Sequence, residues 1–259
     1  MNALIGFSGF VGSTLLRQTT FQNLYRSTNI GDIEGRAFDT IVCAGAPAQK
    51  WLANRDPAAD REKIETLIGH LKTVQCKRFV LISTVDVFKA PVAIDESTPV
   101  DVDGLHAYGL HRRQLEQFVE TAFPDHLIVR LPGLVGPGLR KNVIFDLLNG
   151  NNLHSIESRS VFQFYPMINL WYDIELALQA GLNLVHLTAA PISVSQVSLQ
   201  GFGRAFEQEL DGTPARYDMR SRHSNVFGAE GSYQYTARET FQAIRAYAQS
   251  EAVRLNAGA

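Results

Sequence analysis

Residues 1–16 read Met1-Asn-Ala-Leu-Ile-Gly6-Phe-Ser-Gly9-Phe-Val-Gly12-Ser-Thr-Leu15-Leu16, and the fold follows from them. Residues 2–5 form a short, mostly apolar run suited to a buried parallel strand. Val11, Leu15 and Leu16 open an apolar stripe at helical spacing. Between the two, the chain must turn tightly and present backbone without side chains. A dinucleotide pyrophosphate needs such a surface, because it docks on N–H groups at the positive end of a helix. Gly6 is expected to make the turn, Gly9 to let the phosphates approach and Gly12 to let helix and strand pack closely, with Ser8, Phe10 and Val11 completing the loop. Glycines also cluster in ordinary turns. The strand before and the helix after give this triplet its weight.

Bulk composition narrows the class. The chain has 259 residues, 45% of them hydrophobic and 19% charged, within the range of one large globular domain or a domain with a small appendage. A net charge of −2 favours neither nucleic acid nor an anionic membrane as partner. Cys43 and Cys76 lack metal-ligand spacing and read as free thiols of a reducing compartment; His154, His186 and His223 are equally scattered. No apolar run reaches the ~18 residues of a membrane span. No basic residue precedes Arg17, so there is no signal-peptide n-region. The expected location is cytoplasmic and no metal is expected.

Strand-like and helix-like segments alternate. Apolar β-rich runs occur at 2–5, 39–44, 78–83, 126–131 and 183–188, with a further strand expected at Asn23–Thr28. Residues 58–75 place Ile64, Leu67, Ile68, Leu71 and Val74 on one helical face, and 107–122 do the same with Leu110, Leu115, Phe118 and Val119. This alternation predicts an α/β fold, a doubly wound parallel sheet of Rossmann type. Only about ten residues separate the second strand from Asp39, too few for a helix-plus-strand crossover. From about 139 the pattern loosens, with helical segments expected at 142–149, 195–209 and 236–249. The expected division is a dinucleotide-binding domain over 1–139 plus about 167–190, and a small C-terminal substrate lobe over about 140–166 and 191–259.

Chemistry concentrates after the strand at 78–83, where an open α/β sheet places its ligands. Ser83 and Thr84 offer hydroxyls there. Further on, His106-Ala-Tyr108-Gly-Leu-His111-Arg112-Arg113 puts Tyr108, His111 (i+3) and Arg112 (i+4) on one helix face. A tyrosine that exchanges a proton near neutrality needs its pKa lowered from ~10, and a cation does that. Alone, a Ser-Thr pair is an ordinary strand end and such a tyrosine an ordinary surface residue. Their order after the glycine turn makes them informative together. At the end of the second strand Arg26 and Ser27 stand where an NAD site usually has an acid, which favours NADP, with NAD as the other option.

In these pieces the chain resembles the extended short-chain dehydrogenase/reductases that include the NAD-dependent epimerase/dehydratase proteins. The matching segments are Gly6-Phe-Ser-Gly9-Phe-Val-Gly12, Ile41-Val-Cys-Ala-Gly-Ala, Ile82-Ser-Thr84-Val-Asp-Val-Phe, Asp95-Glu-Ser-Thr-Pro, Tyr108-Gly and Arg130-Leu-Pro-Gly-Leu-Val-Gly-Pro, in the family's order over roughly 1–142. The short second-strand region looks most like the sugar-nucleotide ketoreductases of the dTDP-4-dehydrorhamnose reductase type. The resemblance implies catalytic hydroxyls at Thr84 and Tyr108. It implies cofactor contacts at Asp32 and Ile33 (adenine), at Ala44, Gly45, Ala46 and Ser83, and at Pro132 and Gly133 beside the nicotinamide. Asp86 and Asn142 would face the substrate. It also implies an NAD(P)-dependent oxidoreductase acting on a carbonyl or secondary alcohol, with a sugar-nucleotide as substrate class. The alternatives are an epimerase or dehydratase that retains its cofactor, or a catalytically weak NADP-binding regulatory protein. A homodimer through the helices at 58–75 and 107–122 is a further implication.

Two residues depart from the family pattern. Its lysine four positions after the tyrosine is Arg112, which keeps the charge but has a wider fork; His111 is the candidate to share its role. Its asparagine on the helix before the strand at 78–83 corresponds to Glu62. Lys50-Trp51 follows the strand at 39–44 and could border a nicotinamide pocket, although such a tryptophan more often anchors a loop by packing. Trp171 and Tyr172 read as core residues of an apolar helix, and the last residues, Arg254-Leu-Asn-Ala-Gly-Ala, as a frayed tail.

Overall fold

A computed structural model describes residues 1–251; the tail that the sequence reads as frayed lies outside them. The chain divides into two compact units. One comprises Met1–Ala90, Glu96–Leu131 and Asn169–His186, and the other comprises Pro91–Asp95, Pro132–Ile168 and the chain from Leu187 on.

The first unit is the doubly wound sheet. Its strands are β1 (Asn2–Ile5), β2 (Asn23–Tyr25), β3 (Ala37–Cys43), β4 (Gln75–Thr84), β5 (His126–Leu131) and β6 (Leu184–His186). They lie in the order β6-β5-β4-β3-β1-β2, every neighbour pair parallel. Strand order reverses beside β1, and the crevice at such a point is where open α/β sheets bind ligands. β2 is shorter than expected. Between it and β3 the chain makes only a 3-10 turn at Ile30–Ile33, whose Ile33 is fully buried in the core.

The helices are α1 (Phe10–Gln18), α2 (Lys50–Arg55), α3 (Pro57–Leu71), α4 (Ala107–Ala122) and α5 (Leu170–Gln179). Helical periodicity places α4 at its observed ends. It overruns α3 by four residues, because Lys72–Val74 turn the chain into β4. Ile64, Leu67, Ile68 and Leu71 of α3 join Leu115 and Val119 of α4 over Ile41, Phe79 and Leu81 of the sheet. Trp171 meets Phe21 edge-on at 5.8 Å, but Tyr172 is 63% exposed, so only part of the expected aromatic core exists.

A charged network is buried in the same unit. Glu116 of α4, fully buried, accepts from Nε and Nη2 of Arg130 on β5 at 2.9 and 2.7 Å. It also accepts from Ser83 Oγ at 2.6 Å and from Arg113 at 2.9 Å. Burial works to raise its pKa, but these donors outweigh it and hold the carboxyl below its ordinary value.

The second unit carries short strand pairs, Gly133–Val135 with Phe164–Pro166 and Val161–Phe162 with Ile192–Ser193, and the helices Val143–Asn149 and Ala237–Ser250. The helix expected at 195–209 ends early. A short turn at Val194–Gln196 passes into a π-helix at Val197–Gly201, and Gly203 then takes φ +67°. A Cβ at Gly201 would stand 2.6 Å from Ile244, so this close approach requires glycine.

Replacing Glu116 by Gln strips Arg130 of its buried counter-charge. Chemical denaturation is expected to show a loss of about 3–5 kcal/mol. The wild type should also lose stability as pH falls from about 4.3 through the depressed folded value, and the variant should lack that component. A variant as stable as wild type would contradict the role assigned to the network.

Candidate active site

The glycine turn is built as its sequence implies. Gly6 has φ +85°, and a Cβ there would lie 2.3 Å from the carbonyl oxygen of Ala44, so the loops after β1 and β3 touch through backbone alone. A Cβ on Gly12 would lie 2.1 Å from the Gly6 oxygen, the close helix–strand approach. At Gly9 the nearest atom to a Cβ is the Gly6 oxygen at 3.4 Å, leaving its outer side open. Gly9 is the N-cap of α1, and neither a capping side chain nor an acidic residue occupies the first turn. Ser8 and Gly9 are exposed, with Phe10 and Val11 half-buried behind them. The start of α1 therefore keeps its N–H groups and positive dipole end for an anion.

The remaining cofactor candidates fall on separate elements of the two units. Arg26 and Ser27 are exposed beyond β2. Arg26 Nε donates to Thr28 at 3.0 Å, and its guanidinium stands 5.7 Å from the Phe7 ring centroid. Asp32 is exposed, whereas the Ile33 side chain is taken up by packing. Ala44, Gly45 and Ala46 follow β3, half-buried. Ser83 is committed to Glu116. In the second unit, Gly133 opens a strand and Pro132 is buried before it. Asn142, at φ 104°, spends its amide on capping the helix Val143–Asn149 and on the Leu134 carbonyl at 2.8 Å.

At the end of β4, the Thr84 hydroxyl is close enough to the Tyr108 phenol to pull its pKa down. Thr84 Oγ1 also accepts from the Asp86 N–H at 3.1 Å, and Asp86 Oδ1 accepts from Lys50 Nζ at 2.8 Å. Burial pushes the Tyr108 phenol above its ordinary value; Arg112 pulls the other way without prevailing. The expectation of a phenol made acidic by Arg112 is thereby corrected. Tyr108 holds its proton at neutral pH.

Arg112 is itself paired with Asp60. Asp60 of α3 is 5% exposed and Arg112 3% exposed, and they form a two-pronged ion pair, with Nη2 to Oδ1 at 2.9 Å and Nη1 to Oδ2 at 2.5 Å. The same guanidinium donates to the carbonyls of Pro47 and Tyr108 and lies 4.0 Å from the Tyr108 ring centroid. His111 is buried too, with Nδ1 2.7 Å from Asp60 Oδ2. Burial alone would raise the Asp60 carboxyl, but its bonds to Arg112 and His111 hold it below its ordinary value. His111 and Arg112 therefore serve Asp60, and Arg112 acts on Tyr108 through its ring face.

Sequence reading missed Asp60, Asn54 and His106. Asn54 Oδ1 accepts from the Tyr108 N–H at 3.0 Å, a tie from α2 into the first turn of α4, while Glu62 is exposed on α3. Trp51 is 62% exposed with Arg55 stacked at 4.8 Å, so it does not anchor a loop by packing. Among the described residues, no group of three or more His, Cys, Asp or Glu could hold a metal, and no helix is long and apolar enough to cross a membrane.

No family model matches the chain, and no curated protein matches it in sequence. Solved structures match its fold. A dTDP-4-dehydrorhamnose reductase from Clostridium acetobutylicum superposes with a TM-score of 0.72 at 16% identity, over 96% of this chain and 99% of that one. The Bordetella bronchiseptica enzyme WbmG, solved with NAD, gives 0.73 at 15% over 96% and 93%. RMD from Pseudomonas aeruginosa, solved with NADPH, gives 0.67 at 16% over 96% and 99%. The fold is the one these enzymes share, in agreement with the sequence resemblance.

Removing either partner of the central ion pair leaves a buried charge. Asp60→Asn and Arg112→Met are each expected to cost about 3–5 kcal/mol in chemical denaturation, and the double variant clearly less than their sum. Arg112→Lys should recover only part, because an ammonium cannot span both oxygens. Additive single losses would contradict the coupling.

Proposed function

We propose that the chain binds a nicotinamide dinucleotide on the Gly6–Gly12 turn and is an oxidoreductase acting on a carbonyl or secondary alcohol of a sugar-nucleotide or related small molecule. The observation that carries the reading is the uncapped start of α1 behind Gly9, at the reversal point of the sheet. The fit is to a pyrophosphate: open space, unspent N–H groups and no competing carboxylate in the first helical turn. NAD and NADPH in structurally similar enzymes favour the same group. Arg26, with no acid beside it at the end of β2, favours the phosphorylated form. Asp32, Ala44, Gly45 and Ala46 would border the nucleotide, and Pro132 and Gly133 are proposed for its nicotinamide end.

A dinucleotide held there supplies a hydride donor or acceptor. The chain's own contribution is the proton. Tyr108, kept protonated by burial, donates from its hydroxyl to a carbonyl oxygen, and Thr84 hydrogen-bonds at the same place. Arg112 and Asp60 hold the ring. Asp86, turned toward Lys50, and Asn142 are proposed for substrate contact. One observation favours a second reading. Because burial outweighs Arg112 and the phenol remains above its ordinary value, weak turnover and a regulatory use of cofactor binding also suit this site.

Calorimetric titration separates the cofactor assignments. Gly9→Val should fold and bind neither NADPH nor NADH. Arg26→Ala should lose about one to two powers of ten for NADPH and spare NADH. Unchanged binding by folded Gly9→Val would remove the site. Tyr108→Phe should lower turnover by ~10²–10⁴-fold with NADPH affinity preserved, and wild-type turnover in that variant would remove the mechanism.

A further inference from the structure

Tyr108 is placed through its backbone as well as its ring. Helices begin with N–H groups that lack intrahelical partners. In α4 two of these are taken by side chains. Tyr108 N–H donates to Asn54 Oδ1, and Gly109 N–H donates to His106 Nδ1, both at 3.0 Å. His106 is thus the N-cap of α4. The usual caps, Ser, Thr, Asp and Asn, accept through oxygen across the neutral range. An imidazole nitrogen accepts only while it carries no proton, so the neutral ring must bear its hydrogen on Nε2. The first turn has no slack. A Cβ on Gly109 would stand 2.1 Å from the Asp86 carbonyl oxygen and 3.0 Å from His106 Cε1, so α4 meets the turn after β4 through its backbone, with the ring close to Gly109.

We propose that His106 is a positioning residue whose neutral ring holds the first turn of α4, and Tyr108 with it, and whose protonation at Nδ1 releases that turn. A cation there would also oppose the positive end of the helix dipole. Lys50 of α2 and Arg112 of α4 repel a proton on the ring, its own backbone carbonyl and Asp86 attract one, and the Tyr108 ring centroid lies 6.4 Å away. Burial first, then Lys50, holds the imidazole below its ordinary value. Below about pH 6.5 the unfolded chain binds this proton before the folded one does. The cap is therefore complete above that pH and is lost as pH falls from there through the lower folded value. The consequence for chemistry rests on the proton-donor role proposed for Tyr108; the cap does not.

The test uses the full chain without cofactor or substrate, so its outcome is separate from that of the oxidoreductase reading. Ring ¹⁵N shifts at neutral pH should give the Nε2–H tautomer for His106; the Nδ1–H tautomer overturns the proposal. The protection factors of the Gly109 and Tyr108 amides should fall about fivefold between about pH 7.5 and the low end of the folded range, the size of one cap. In His106→Asn, a cap that does not titrate, protection should stay level. Level protection in wild type, or the same fall in His106→Asn, overturns it.

Discussion

Asp60 is a carboxylate removed from water, and the arrangement around Tyr108 depends on how it is satisfied. An ion pair at this depth is stabilising only when its geometry is good and its remaining hydrogen-bonding capacity is used. Arg112 meets both oxygens and His111 joins one of them, so α3 and α4 can pack in essentially one register. The spare reach of the same guanidinium extends to the Pro47 carbonyl in the loop after β3. Three segments distant in sequence are thereby tied together, and the Tyr108 ring comes to rest against the guanidinium face. Cation–π contact of this kind orients a ring well, while the same charge pulls the phenol down less than burial pushes it up.

Arg112, at the fourth position after the tyrosine, is then a structural residue as much as an electrostatic one. An ammonium is a point charge that can approach a hydroxyl; a guanidinium is a planar fork suited to a carboxylate. The fork is used as a fork. What remains for chemistry is a half-buried, protonated phenol near Thr84, with the Lys50–Asp86 pair close by. Such a phenol suits proton donation better than proton abstraction.

Much of the fold could be read from local pattern. The helix over Ala107–Ala122 shows its period through Leu115 and Val119, although His111, Arg112 and Glu116 are buried beside them, and Gly6 and Gly12 each fill a distinct steric need. What escaped was pairing at long range. Asp60 and Arg112 lie 52 residues apart, Asn54 and Tyr108 54 apart, and Ser83 and Glu116 33 apart, so no spacing rule joins them. Buried polar groups look like surface groups until their partners are known, and nothing local tells that Ser83 meets Glu116 or that His111 meets Asp60. His106 did leave a local signal, a polar side chain three residues before a glycine at a helix start. Imidazole is not among the usual caps, and the signal passed unread. Trp51 and Tyr172 show the converse, large aromatic residues left on the surface by short helices.

The central claim is that the glycine turn and Tyr108 serve one redox site. Deuterium transfer in a single turnover tests it most directly. The protein is mixed with reduced dinucleotide labelled at the transferable position and with a panel of keto sugar-nucleotides, and the products are weighed. The account predicts one deuterium in a reduced sugar-nucleotide. Saturated dinucleotide binding with no label transferred to any ketone would contradict it.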